Sequence, residues 1–129
     1  LGCTVPSAYD AAIQPHVNRF EMLFGTKLTL PIYLAGDEYF NEWEIGVCFT
    51  TLGRIRLKRS YWNEASEADR EELLWHELGH CEFGLEHDDA IDPDTQRPLS
   101  IMNSGHIPDW LYLHYYNEYI NEFKRKAGL

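Results

Sequence analysis

Residues 66–87 read SEADREELLWHELGHCEFGLEH, and this stretch decides how the rest of the chain must be arranged. Ser66 followed three residues later by Asp69 has the form of a capping box. Gly84 supplies the matching stop, so the spacing predicts a helix over Glu67–Phe83 with Leu74, Leu78 and Cys81 as its core stripe. Inside it His76 and His80 are four residues apart, and their imidazoles project from one face, one turn above the other, where they can share a metal ion. Glu77 lies about 100° around the helix, beside such an ion and not on it, placed to take a proton from metal-bound water. Two helix ligands, an adjacent base and an open coordination position make the arrangement of a zinc hydrolase.

The helix must end before a third ligand can fold back onto the same ion. Gly84 provides the break and His87 follows three residues later. Beyond a proline-containing loop comes Ser100-Ile101-Met102-Asn103. In these residues the chain resembles the metzincin clan of zinc endopeptidases, and is most similar to the matrix-metalloproteinase style of active-site helix. That family carries His-Glu-x-x-His-x-x-Gly-x-x-His and then a Met-containing turn. The resemblance implies that His76, His80 and His87 bind one catalytic zinc, that Glu77 is the general base, and that Met102 forms an apolar floor beneath the metal. It spans residues 76–88 and 100–103. Gly84 and His87 each lie one residue later than the family spacing, while the interval between them is intact, which reads as a one-residue insertion. In strict register Phe83 would replace the glycine and Glu86 the third histidine, so Glu86 stands as a rival ligand. Ser104 occupies the place of a tyrosine found in some members, and no tyrosine ligand is expected.

Outward from this centre, Ile13, Val17, Phe20 and Phe24 fall on one helical face, with Pro15 near the start and Gly25 as the stop. Residues 27–34 alternate with all even positions apolar, a strand with one buried face that Pro31 interrupts or places at an edge. Residues 35–45 read as a loop and residues 46–50 as a buried strand. Arg54–Lys58 alternates with outward cations and reads as an exposed edge, hence as the candidate strand to which an extended substrate would add. Residues 98–100 would wall the pocket beyond the scissile bond. Pro108 opens a final helix with Leu113, Tyr116, Ile120 and Phe123 on its inner face and Lys124, Arg125 and Lys126 at its C-terminal end. The expected fold is α+β: one domain over residues 1–129, with a small twisted mixed β-sheet, a central active-site helix, a Met-turn and a C-terminal helix.

Composition bounds the function. The chain has 129 residues, 44% hydrophobic and 14% aromatic, enough for one packed core. A net charge of −10 argues against nucleic acid and anionic lipid as partners, and no apolar run is long enough for a transmembrane segment. The expected partner is a protein or peptide substrate, met by a monomer. Three cysteines, Cys3, Cys48 and Cys81, leave open one pair with a free thiol or three buried thiols. The Leu1-Gly2-Cys3 beginning resembles the end of a bacterial lipoprotein signal, which implies a lipid anchor at Cys3 and a secreted, periplasmic or cell-surface location.

Three other readings stand beside the endopeptidase. One is a peptidase resembling thermolysin (a gluzincin), with Glu118 or Glu122 of the last helix as third ligand. Another is a zinc amidase or deacetylase using the same chemistry. The third is a non-catalytic zinc-binding interaction module. Asp88, Asp89, Asp92 and Asp94 offer oxygens to calcium but lack the regular spacing of a calcium-binding loop, so they read as a solvated acidic loop. Asp88 is a candidate brace for a ligand. His106 and His114 read as surface or capping residues, and Trp43, Trp62, Trp75 and Trp110 as core or cleft packing.

Overall fold

A computed structural model describes residues 9–129, so the proposed anchor Cys3 lies outside the described residues. The chain folds as α+β. Helix α1 (Gln14–Phe24) leads to β1 (Ile32–Ala35), a 3-10 turn (Asp37–Tyr39), β2 (Gly46–Phe49), β3 (Arg54–Lys58) and α2 (Arg59–Glu64). Then come the long α3 (Glu67–Phe83), α4 (Asp109–His114) and α5 (Tyr116–Ala127). Among the described residues no helix is long and apolar enough to cross a membrane.

The sheet is mixed, in the order β1-β3-β2. Strand β3 pairs parallel with β1, Ile32 opposite Ile55, and antiparallel with β2, Cys48 opposite Ile55. Arg54–Lys58 is therefore the central strand, and its expected role as a free edge for substrate is overturned. Alternation reports which face a side chain takes, not whether the strand has neighbours. The outward arginines lie over aromatic rings: the Arg56 guanidinium is 4.8 Å from the Tyr39 centroid and 4.9 Å from that of Phe49. The edges are instead β1 and β2, and β2, expected as a buried strand, is half-buried. Of the predicted strand over 27–34 only residues 32–34 join the ladder, which continues one residue further to Ala35, although Leu28, Leu30 and Ile32 are buried in alternation as expected. Pro31 has no N–H to offer, and its carbonyl accepts from Ile55 N at 3.0 Å.

Helix α3 packs beneath the sheet. Ile13, which caps α1, and Val17, Phe20 and Phe24 of α1 meet Leu74, Trp75 and Leu78 of α3, Ile55 and Leu57 of β3, and Phe123 of α5 in one buried core. Phe20 and Phe24 both stack tilted or edge-on against Trp75 and Phe123.

The final helix is two helices, broken at Tyr115 (φ −109°, ψ 31°). The break changes the inward phase: Leu113, expected inside, is exposed, while Tyr112 and Tyr119 are fully buried. Both tyrosines bring a hydroxyl and find it a partner. Tyr112 donates to Glu71 Oε2 at 2.7 Å and Tyr119 to the Pro98 carbonyl at 2.6 Å, which removes the penalty of burying them. Helix α2, which the residue pattern did not signal, buries Trp62 and is tied to α3 where Arg70 Nε donates to the Trp62 carbonyl at 2.7 Å.

Candidate metal centre and cleft

Helix α3 begins and ends as its sequence predicts. Asp69 N donates to Ser66 Oγ at 3.2 Å, and Gly84 takes the left-handed conformation at φ 65°. The closing turn has a double hydrogen bond, Gly84 N to His80 O at 3.1 Å and Leu85 N to Gly79 O at 2.8 Å. It thereby aims the Leu85 carbonyl at His80, whose Nδ1 lies 2.7 Å away. The Ile101 carbonyl, in the turn that carries Met102, lies 2.7 Å from His76 Nδ1.

A carbonyl can only accept, so each Nδ1 carries the proton and each Nε2 presents a bare lone pair. These two Nε2 atoms face one another at 3.2 Å. Two lone pairs so placed repel unless a cation sits between them, and burial holds the His76 imidazole well below its ordinary value, at about 4, so a proton is a poor candidate. Two Zn–N bonds of about 2.0–2.1 Å at the tetrahedral angle would place the nitrogens roughly 3.3 Å apart. His87 completes the group, its ring 4.8 Å from that of His80 and 5.2 Å from that of His76. One nitrogen from each of His76, His80 and His87 lies within 4.8 Å of the others, and this group could hold a metal ion. Among the described residues it is the one such group, and it includes neither Glu86 nor Glu118 nor Glu122. Glu122 pairs with Lys126 at 3.2 Å.

Met102 lies in the turn at residues 100–103, closed by Asn103 N to Ser100 O at 3.1 Å, and is fully buried. Its carbonyl accepts from Asp88 N at 2.9 Å, which ties the turn to the segment just after His87. The sulfur packs directly on α3 at Gly79: a Cβ there would stand 2.4 Å from Met102 Sδ. Gly79 was an unassigned position in the sequence pattern. A glycine inside a helix costs about 1 kcal/mol relative to alanine, and that cost was the available signal that another group approaches closely. Gly46 of β2 plays the same part across the cleft, where a Cβ would lie 3.0 Å from Leu73 Cδ1 and 3.1 Å from Glu77 Cγ.

Glu77 is 6% exposed. Burial pushes its carboxyl up to about 7. The negative charge of Glu72 adds to this, and a hydrogen bond from the Cys48 backbone opposes it. It faces a cleft of about 400 Å³ between residues 43–48 at the β2 edge and residues 103–106, with the three histidines and Glu72 along its floor. The wall is thus residues 103–106 and not residues 98–100; Ser100 is buried, and its Oγ accepts from Met102 N at 3.0 Å. Asp88 does not brace a histidine. It pairs with Lys126 of α5 and accepts from Ala90 N, leaving the bracing to two backbone carbonyls. Asp92 accepts from Asp94 N and Thr95 N, and Asp89 from both the N–H and hydroxyl of Ser104, so these acids shape their own loop.

Cys48 and Cys81 form a disulfide, Cα to Cα 5.6 Å, which ties the edge strand to α3 next to His80. His106 lies between two carboxylates of α3, 3.3 Å from Asp69 Oδ1 and 3.4 Å from Glu72 Oε2, and these raise its imidazole above the ordinary value. Trp62 and Trp75 belong to the core, Trp43 stands exposed on the cleft rim, and Trp110 is exposed, in neither core nor cleft.

No protein-family model matches this chain, and no curated protein or solved structure matches it either.

Proposed function

We propose that the protein is a zinc-dependent endopeptidase of the metzincin kind, with His76, His80 and His87 as ligands and Glu77 as general base. The observation that carries the reading is the convergence of bare imidazole nitrogens, His76 and His80 Nε2 at 3.2 Å, beside a carboxyl held at about 7. Zinc in such a site acidifies water and polarises a carbonyl. Glu77 takes the proton of the attacking water and hands it to the leaving amine. Burial raises this carboxyl to about 7 in the metal-free protein, and a bound dication would draw it back toward the carboxylate that a general base requires. The Ile101 and Leu85 carbonyls hold the histidine rings in one tautomer and orientation. Met102 supports the floor without competing for the metal, since a thioether is a poorer zinc ligand than imidazole.

Three protein ligands leave a fourth position open, which favours catalysis over a closed structural site. The outer edge of β2 pairs with no strand among the described residues and borders the cleft, so an extended peptide has main-chain groups to pair with there. We place the protein outside the cytoplasm; the Cys48–Cys81 disulfide supports this, as such bonds persist in oxidising compartments.

The test is Glu77→Ala. The variant should bind zinc and fold while losing about 10²–10⁴-fold in peptide hydrolysis. Cleavage at the wild-type rate would rule out the mechanism.

A further inference from the structure

We propose that Lys126, in the last turn of α5, is a positioning residue for the third metal ligand: through Asp88 it fixes the stretch of chain that presents His87, and so sets how tightly the site holds zinc. The inference rests on the reading of His87 as a zinc ligand and not on the peptidase chemistry.

The three histidines are held by different means. His76 and His80 stand half-buried on α3, and each ring is anchored at Nδ1 by a backbone carbonyl 2.7 Å away. His87 lies beyond the helix and is exposed, and among the described residues no hydrogen bond reaches its ring. Neither packing nor a ring partner holds it, so its place is set by the backbone that carries it. That backbone is pinned on both sides. Before His87, Leu85 N donates to Gly79 O at 2.8 Å, and after it Asp88 N donates to Met102 O at 2.9 Å. The Asp88 carboxylate adds a further tie: Oδ1 accepts from Ala90 N at 3.1 Å and Oδ2 accepts from Lys126 Nζ, 38 residues away. Lys126 is itself held by Glu122 Oε2, one turn earlier on α5, at 3.2 Å. One ammonium thus serves two carboxylates, one on the helix and one on the ligand loop. Without it Asp88 and Glu122 would face each other as like charges and push the loop off α5. The pair is sheltered, with side-chain exposures of 27% for Lys126 and 35% for Asp88, so solvent screens it less than an open surface pair.

The experiment is zinc affinity, measured on the full chain by competition with a chromophoric chelator, with circular dichroism to verify that each variant is folded. Lys126→Met keeps the apolar stem and removes the ammonium, and it should weaken zinc binding about tenfold, the low end for a group that acts on a ligand from outside. The sign is diagnostic. By charge alone, taking a cation away from the neighbourhood of a dication would tighten zinc, so a loss reports position and not field. Lys126→Arg should bind zinc as the wild type does. The path is tested by a double-mutant cycle: in an Asp88→Asn background, Lys126→Met should add little further loss. If Lys126→Met does not fold, Lys126→Gln takes its place with the same expectation. Zinc bound by folded Lys126→Met as tightly as by wild type, or a tenfold loss that repeats undiminished in Asp88→Asn, overturns the inference. The two readings fail separately. A wild-type chain that binds no zinc refutes the metal centre and this role with it, and a wild type and Lys126→Met that bind zinc equally refute the role of Lys126 alone.

Discussion

Replacing Glu77 by glutamine should stabilise the metal-free protein, and by an amount that depends on pH. Glu77 is 6% exposed, and burial raises its carboxyl from 4.5 to about 7. An acid raised on folding binds more protons in the folded than in the unfolded chain between those values. Stability is therefore fully present below 4.5 and is lost as pH climbs through 7. A rise of this size corresponds to about 3 kcal/mol, which the wild-type protein forfeits above neutrality and a neutral glutamine does not. His76, held down to about 4, has the opposite dependence, costing stability as pH falls from 6.5, but it is present in both proteins and cancels in the difference. Urea denaturation of wild type and Glu77→Gln, with chelator, across pH 4–8.5 measures this directly. The two should coincide near pH 4, and the variant should gain about 3 kcal/mol by pH 8. Adding zinc should shrink the gap, because a neighbouring dication favours the carboxylate. A difference that does not change with pH, or a variant less stable at pH 8, would refute burial as the cause of the raised carboxyl.

Three further outcomes are expected. Metal analysis should find about one zinc per chain in the wild type and in Glu86→Ala, and a large loss in His87→Ala; the reverse pattern would restore the strict register. Gly79→Ala should lose roughly 1–3 kcal/mol by overpacking against Met102, offset in part by about 1 kcal/mol of helix propensity, and the combined Gly79→Ala, Met102→Ala protein should show a favourable coupling in urea denaturation. Replacing Cys48 and Cys81 together by alanine should lower stability by about 3–4 kcal/mol, the loop-closure value for their separation of 33 residues, read as a lower urea midpoint.

Helix α3, its two caps and the shared face of His76 and His80 were legible in the residues, because helical periodicity and capping are set by neighbours within four positions. The same holds for the buried face of α1 and for Gly84 as the break that lets His87 return. The group that could hold a metal includes His87 and not Glu86, a distinction of one residue in the sequence that only the arrangement in space makes.

What tertiary structure alone decided involves partners distant in the chain. Arg54–Lys58 and residues 46–50 exchanged their expected places because strand order depends on which segments pair, and alternation along one strand carries no record of that. Leu113 turned outward because Tyr112 and Tyr119 found Glu71 and Pro98 as hydrogen-bond partners, 41 and 21 residues away. The carbonyls that orient His76 and His80 belong to the backbone, where residue identity leaves no mark. Nothing in the residue pattern of α3 singles out Glu72. Burial beside His106 and opposite β2 turned it into the floor of a cleft, and burial, unlike helical phase, is a property of the whole fold.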